Sequence, residues 1–385
     1  MKSAKKVCLK IIIFLLPLVI FFLPILLSGE HLDGGDVARL MHVDGRSLLY
    51  GPIIEDNYRY YKAESARLVK PSVLVVGASR ALQIRSFFFN NDVAFYNAGF
   101  VTGNTADMQC FLEAQDPGSI DILIISLAQQ HFNENIPFAP HPGYTDFSEP
   151  AEGSAVGIDF LLNHLLWEIK TGKPVYGTGL WNMNIIGRTA KTIYTGMLND
   201  GSFYYGYIYQ QADTGQDAMD RMAGILARIE NATDRYIHGE HVNPDAVNHL
   251  TQFLQYCRNN NIHVIAYVPS ASPTVNDAIR AKGSAYGYRR EMLAFVPAIF
   301  EEYGHEFYDY TDAAFLGCTE DFYIDGDHAS DVVFLRMFID MIERGSRLGD
   351  YCNVEDLQAY DRARFSDLRI FDTWEQYNGL WLAGR

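Results

Sequence analysis

The chain has 385 residues, of which 48% are hydrophobic and 14% aromatic, so it can bury a large core and does not have the composition of a disordered protein. Its formal net charge is −16, from 31 basic and 47 acidic residues. This balance argues against nucleic acid as a partner, because nucleic acid needs a basic groove. It also argues mildly against a tightly bound polyanionic substrate, although net charge is not local charge.

The N-terminus combines a basic tip with an apolar run. Four lysines among the first ten residues precede the 17-residue run Ile11–Leu27, which Pro17 and Pro24 interrupt. This length is at the short end of what spans a bilayer, and the lysines favour a cytoplasmic N-terminus. We expect residues 1–29 to be a single-pass transmembrane anchor, with the globular domain outside. A secreted protein released from a cleaved signal peptide is the alternative, although residues 27–30 are a poor cleavage site.

The chain has five cysteines. Cys8 belongs to the N-terminal segment. In an oxidising compartment Cys110, Cys257, Cys318 and Cys352 can form two disulfides, but their spacing indicates neither zinc nor a redox pair. Cys110 and Cys257 lie in amphipathic helical patterns, so for these two we favour buried free thiols.

Strands and helices alternate after residues 30–70, which are predicted to be a mostly polar stalk with some helix. The predicted strands are Ser72–Ser79, Val93–Phe100, Ile120–Ala128, Ile262–Pro269 and residues 305–311. The predicted helices are Ala81–Phe89, Asn104–Gln115, Asp245–Asn261, residues 288–304 and residues 330–345, the last with Ser330 as N-cap. This order predicts the α/β class, a doubly wound α/β/α sandwich around a five-stranded, mostly parallel sheet. In such folds the chemistry lies at the carboxyl ends of the strands.

The alternation stops between residues 131 and 242, a segment rich in Gly, Tyr and Trp, in which Ile158–Lys170 and Asp217–Asn231 have helical patterns. Because this segment follows the third strand, we expect a large insertion that shapes a substrate cleft, with a passive surface excursion as the alternative. The catalytic domain then consists of residues 71–130 and 243–345, and residues 346–385 form a C-terminal extension.

Two short motifs supply candidate catalytic groups. The stretch FYIDGDHAS, Phe322–Ser330, places Asp325 three residues before His328. The stretch VVGASRA places Ser79 on the turn after the first strand, where backbone N–H groups can hold an oxyanion. His328 would accept the proton of Ser79, and Asp325 would fix the tautomer of the histidine. A helix-capping serine and an exposed loop histidine are the simpler alternatives.

The order and strand context of these motifs resemble the SGNH/GDSL hydrolase superfamily. Gly77–Arg80 is similar to the nucleophile turn of that family, Asn97–Gly99 to the block whose glycine N–H joins the oxyanion hole, and Asp325–His328 to the D-x-x-H block. The resemblance implies an SGNH-like fold and a triad of Ser79, Asp325 and His328. Ser79 and Gly99 would supply oxyanion donors, and no metal or cofactor is required.

The third block departs from the family pattern. Where the family has G-x-N-D after the third strand, this chain has SLAQQHF, Ser126–Phe132. Gln130 falls nearest to the oxyanion-binding asparagine, and a glutamine amide can donate the same hydrogen bond on a longer arm. Arg80 and His131 flank the predicted site and are candidate substrate-binding residues, with a solvated helix arginine and a polar loop as the alternatives.

The combination of an N-terminal anchor with an SGNH-like domain resembles a membrane-anchored acyl-transfer branch, which includes the teichoic-acid D-alanylation and alginate-type O-acetylation proteins. This implies an extracytoplasmic serine acyltransferase or esterase acting on cell-envelope polysaccharide or glycolipid, with a membrane-bound O-acyltransferase as partner. A secreted esterase with a small soluble substrate is one alternative. A catalytically degenerate scaffold that binds envelope polymer or an assembly partner is the other.

Overall fold

The computed structural model describes residues 2–54, 57–141, 147, 158–172, 178–215 and 217–383. The strands in these ranges are β1 (Leu49–Tyr50), β2 (Val73–Gly77), β3 (Phe95–Gly99), β4 (Ile122–Ser126), β5 (Ile185–Ile186), β6 (Thr195–Met197), β7 (Phe203–Tyr205), β8 (His263–Val268) and β9 (Glu306–Asp309). The α-helices are α1 (Lys2–Ser28), α2 (Gly34–His42), α3 (Asn57–Val69), α4 (Thr105–Glu113), α5 (Ile158–Lys170), α6 (Arg188–Ile193), α7 (Gly206–Asp213), α8 (Ala218–Asn231), α9 (Pro244–Asn259), α10 (Pro273–Ala281), α11 (Gly287–Glu302), α12 (Asp331–Glu343), α13 (Val354–Ala363) and α14 (Trp374–Ala383).

A five-stranded, all-parallel sheet forms the centre of the domain, with the strand order β3-β2-β4-β8-β9. Alternate residues of β2 point into two separate cores. Val73 and Val75 belong to one cluster, whereas Leu74 and Val76 belong to the other. Helices therefore have apolar surface to cover on both faces, as parallel strands require. The predicted α/β class and the five-stranded parallel sheet are confirmed, and the arrangement is consistent with a doubly wound fold.

One predicted helix is wrong. Residues 81–89 do not form an α-helix; this part of the chain makes two short 3₁₀ turns, Ser79–Ala81 and Ser86–Phe88. The reason is that the side-chain amide of Asn97 donates to the backbone carbonyls of Ala81 and Ile84, each at 2.9 Å. These carbonyls are thereby satisfied without the i+4 N–H donors of an α-helix.

The N-terminal part of the chain differs from expectation. Among the residues that the structure describes, no helix is long and apolar enough to cross a membrane, so the transmembrane helix of the predicted fold class is not found. Residues 30–70, expected to be a stalk, fold onto the domain instead. Val37 and Met41 of α2 and Tyr61 of α3 are at most 1% exposed and share one core cluster.

Described parts of the insertion contribute strands β5, β6 and β7 to a second, four-stranded sheet with the order β5-β1-β6-β7. The remaining strand, β1, comes from the part of the chain that precedes the central sheet. In the C-terminal extension, Leu357 and Trp381 join one of the two main cores. Cys110, Cys257, Cys318 and Cys352 are free thiols. The interpretation as a buried free thiol is confirmed for Cys257, whereas Cys110 is only partly buried.

A buried lysine joins three parts of this fold. Lys62 of α3 is 0% exposed, and its ammonium group donates to the carbonyls of Asn97, at 2.7 Å, and Gly201. It thus links α3, the edge strand β3 of the five-stranded sheet and the insertion. Burial lowers the pKa of Lys62 to about 7, against the opposing effect of the Asp200 charge.

The pH dependence of stability tests whether Lys62 is buried with a lowered pKa. Below about pH 7 Lys62 is charged in both the folded and the unfolded chain, and its burial cost is fully present. Between about pH 7 and the ordinary lysine pKa only the unfolded chain binds the proton, so the free energy of unfolding rises with pH. We expect urea unfolding of the wild type to show this rise relative to Lys62→Met. Parallel pH profiles for the two proteins would contradict it.

Candidate active site

Ser79 follows β2 at the point where the sheet order reverses. The next strand in the chain, β3, pairs with one side of β2, and β4 pairs with the other. The carboxyl end of such a strand is the usual ligand position in open α/β sheets. Gly77 ends β2 opposite Gly99 and has no room for a side chain, because a Cβ would lie 2.7 Å from the Cβ of Ser126. Because Gly77 and Gly99 have no side chains, the Ser79 turn can pack closely against the strand ends.

Asn97 holds that turn in place. Its side chain is fully buried and is used at both ends: the amide nitrogen donates to the carbonyls of Ala81 and Ile84, and Oδ1 accepts from the N–H of Gly99 at 2.8 Å. The N-x-G block therefore fixes the nucleophile turn to β3. This positioning role was not predicted from the sequence.

The histidine loop is also tightly defined. Ile324 N–H donates to the carbonyl of His328 at 2.8 Å, and Ser272 N–H donates to the carbonyl of Gly326 at the same distance. Gly326 has φ +86°, and a Cβ there would lie 2.8 Å from Cγ of Met222. Both the backbone conformation and the packing thus require glycine in D-G-x-H.

The three predicted catalytic residues form a continuous hydrogen-bonded chain. Ser79 Oγ lies 2.8 Å from His328 Nε2, and His328 Nδ1 lies 2.9 Å from both carboxylate oxygens of Asp325. An ionised carboxylate only accepts hydrogen bonds, so Nδ1 carries the proton. The lone pair of Nε2 then accepts from the Ser79 hydroxyl, which is the arrangement of a general base and its nucleophile.

Asp325 is held in its ionised form. Burial alone would raise its pKa, but the nearby His328 charge, the His328 ring N–H and the backbone N–H groups of Asp327 and His328 outweigh burial and lower the pKa to about 2. The carboxylate can therefore orient His328 and stabilise its imidazolium across the neutral pH range.

The predicted oxyanion donors are only partly free. Among the described residues, no acceptor takes the N–H of Ser79, so this donor remains open to a substrate. The N–H of Gly99, in contrast, already donates to Asn97. Gln130 is buried, its Oε1 accepts from Arg80 at 2.7 Å, and its amide nitrogen lies 3.4 Å from His131 Nε2. Gln130 thus contacts both predicted substrate-binding residues rather than standing alone at the asparagine position.

The insertion reaches the triad, and its contributions were missed by sequence reasoning. Tyr205 has its ring 6.3 Å from the His328 ring, and Arg221 donates to the carbonyl of Ile324 at 3.0 Å. Arg235 and Tyr236 bind the carboxylate of Asp327, next to His328, at 2.9 and 2.7 Å. Because 91 or more residues separate these partners along the chain, no local pattern signals them.

Compared with protein-family models, curated proteins and solved structures, the chain matches none of them. The geometry of the site and the motifs of the sequence therefore carry the functional argument.

Removing the Asn97 side chain tests the proposed anchoring of the nucleophile turn. Asn97→Ala leaves the buried Ile84 carbonyl and Gly99 N–H without partners, and the Ala81 carbonyl keeps only the 3.4 Å bond from Ile84 N–H. Each unpartnered buried group costs about 1–3 kcal/mol. We expect the free energy of unfolding in urea to fall by roughly 2–4 kcal/mol. The exposed Asn91→Ala is the matched control and should stay within about 0.5 kcal/mol of wild type. Equal effects of the two substitutions would rule out the anchoring role.

Proposed function

We propose that this chain is an extracytoplasmic serine acyltransferase or esterase of the SGNH type, acting on cell-envelope polysaccharide or glycolipid. The observation that carries the proposal is the hydrogen-bonded chain from Ser79 Oγ through His328 to Asp325. Its position at the topological switch point of a parallel sheet supports the same interpretation. So does the order of the motifs, with the serine after the first central strand and the D-x-x-H block before α12.

The chemistry follows from the geometry. His328 Nε2 takes the Ser79 proton as Oγ bonds to the acyl carbon of the donor, and the N–H of Ser79 donates to the oxygen that becomes negative. Collapse of this intermediate breaks the bond to the leaving oxygen, which receives the proton from His328. An incoming hydroxyl then gives its proton to His328 and attacks the acyl-serine. A sugar hydroxyl gives transfer, whereas water gives hydrolysis.

The extracytoplasmic location is part of this proposal and is supported by the N-terminal sequence. The end of α1 is joined to the folded domain, because the carbonyl of Ser28 accepts from Gly187 N–H at 2.7 Å. Glu30 is buried and accepts from the backbone N–H groups of Ile53 and Arg188. The Ser28 contact favours a retained N-terminal segment over one cleaved near residue 29, because cleavage there would remove Ser28. A membrane-bound O-acyltransferase is the proposed donor partner.

A specific observation favours a second candidate function, a non-catalytic scaffold that binds envelope polymer. Of the three proposed oxyanion donors, Gly99 N–H and Gln130 are both engaged within the protein. Losing one such donor typically slows acyl transfer by ~10²–10³-fold. If the protein is a scaffold, the wild type and Ser79→Ala should bind envelope polysaccharide equally well, and neither should form a covalent adduct.

Covalent labelling of the full-length chain in detergent distinguishes the two functions. We expect a fluorophosphonate probe to label the wild type and to fail with Ser79→Ala and His328→Ala, because each substitution breaks the nucleophile–base pair. Asp325→Asn should label ~10⁴-fold more slowly, since the amide allows the wrong histidine tautomer. Ser284→Ala and His241→Ala, at exposed positions, are matched controls and should label at the wild-type rate. A folded wild-type protein that resists the probe as fully as Ser79→Ala would support the scaffold.

A further inference from the structure

Three arginines from distant parts of the chain act on one buried carboxylate beside the triad: Arg235 contacts Asp327, and the charges of Arg80 and Arg289 act on it from nearby. Arg80 follows the nucleophile directly, and Asp327 precedes His328. Arg235 Nη1 lies 2.9 Å from Asp327 Oδ2. The guanidinium carbon of Arg289 lies 5.9 Å from the centre of the Tyr236 ring, and the Tyr236 hydroxyl donates to Asp327. Burial would raise the pKa of Asp327, but the charges of Arg80 and Arg235 outweigh it and lower the pKa. We call Arg80, Arg235 and Arg289 the arginine cluster.

The arginine cluster carries more positive charge than its surroundings balance. Among the described residues only Arg235 of the three forms an ion pair, with Asp327. Arg80 is 9% exposed, donates one hydrogen bond to the neutral carbonyl oxygen of Gln130, and keeps a buried Nε without a partner. Asp325, the other carboxylate of the histidine loop, is already bound to His328.

Three other buried arginines of this protein each lie beside a carboxylate. Arg85 lies beside Asp331, Arg188 beside Glu168 and Arg369 beside Asp213, at 3.4, 2.8 and 2.8 Å. A buried charge without a counter-ion is costly, by several kcal/mol in typical proteins. Arg80, by contrast, forms no ion pair among the described residues, and the nearby charge of Asp327 is shared with Arg235. The neutral partner instead leaves donors available to a ligand.

The location of the arginine cluster defines what it can bind. Arg80 and Asp327 are the direct chain neighbours of Ser79 and His328, so the arginine cluster adjoins the catalytic pair. Arg235 keeps 27% of its side chain exposed and Arg289 is partly exposed, which gives the cluster an approach from solvent. Guanidinium groups present paired N–H donors that match the oxygens of a carboxylate or phosphate.

We propose that the arginine cluster binds an anionic group, a carboxylate or a phosphate, on the substrate that reacts with Ser79. This inference rests on the proposed acyl-transfer function and narrows its substrate class from envelope glycans in general to those with a charged group near the ester or acceptor hydroxyl. The acidic net charge of the chain does not oppose it, because the positive charge is concentrated at the site.

Calorimetry on the full-length chain in detergent tests the site without requiring any chemistry at Ser79. We use inorganic phosphate, glucuronate and uncharged glucose as probes. We expect phosphate or glucuronate to bind and glucose not to bind, and the better of the two anions identifies the substrate charge. Arg289→Gln should raise the Kd for that anion at least tenfold. Arg290→Gln, exposed on the same helix, is the matched control and should leave the Kd unchanged.

Arg289→Lys separates a binding role from a structural one, because it keeps the charge and loses the paired donors. It should weaken anion binding less than Arg289→Gln, while thermal melting shows whether each variant is folded. Equal binding of glucose and glucuronate, or the same Kd in Arg289→Gln and Arg290→Gln, would overturn the inference. Anion binding that persists in a protein inert to fluorophosphonate would leave the anion site standing and contradict the acyl-transfer function instead.

Discussion

Parallel pairing of β2 with β3 on one side and β4 on the other is the constraint from which the site follows. It brings three carboxyl strand ends together, and the paired glycines Gly77 and Gly99 keep that junction free of side chains. The Ser79 turn can then rest on the strand ends, within 2.8 Å of a histidine that lies 249 residues away in the sequence. Without that register, the sheet would not bring the Ser79 hydroxyl and the His328 imidazole together.

Buried polar groups, rather than apolar packing alone, fix the turn on this junction. Asn97 ties the turn to β3, Lys62 ties the Asn97 carbonyl to α3 and the insertion, and Arg85 donates to Ser202 at 2.8 Å. Such networks specify one geometry when every member is satisfied, because a misplaced member leaves a costly unpaired group. The insertion takes part in this network, and it also supplies Tyr205, Arg235 and Tyr236 to the surroundings of the triad. The insertion thus helps to position Ser79 and also forms part of the surface that a substrate would contact.

The sequence was informative where the signal was local. Continuous apolar runs predicted the central strands, the D-x-x-H spacing predicted the Asp325–His328 pair, and a serine after the first strand predicted the nucleophile. It was uninformative where a distant group decides the outcome. Residues 81–89 have a helical pattern, but Asn97 takes the carbonyls that a helix would use. The ion pair of Arg235 with Asp327 joins two segments of ordinary polar sequence, and the packing of residues 30–70 depends on a surface that only the folded domain presents.

The central claim is that Ser79 acts as a nucleophile activated by His328, and a trapped intermediate tests it most directly. The full-length protein would be mixed briefly with p-nitrophenyl acetate, quenched in acid and digested, and the Ser79 peptide weighed by mass spectrometry. A single acetyl group on Ser79, formed by wild type and absent in His328→Ala, is the predicted result. Acetylation only at other residues, or none at Ser79 in a folded protein, would contradict the claim.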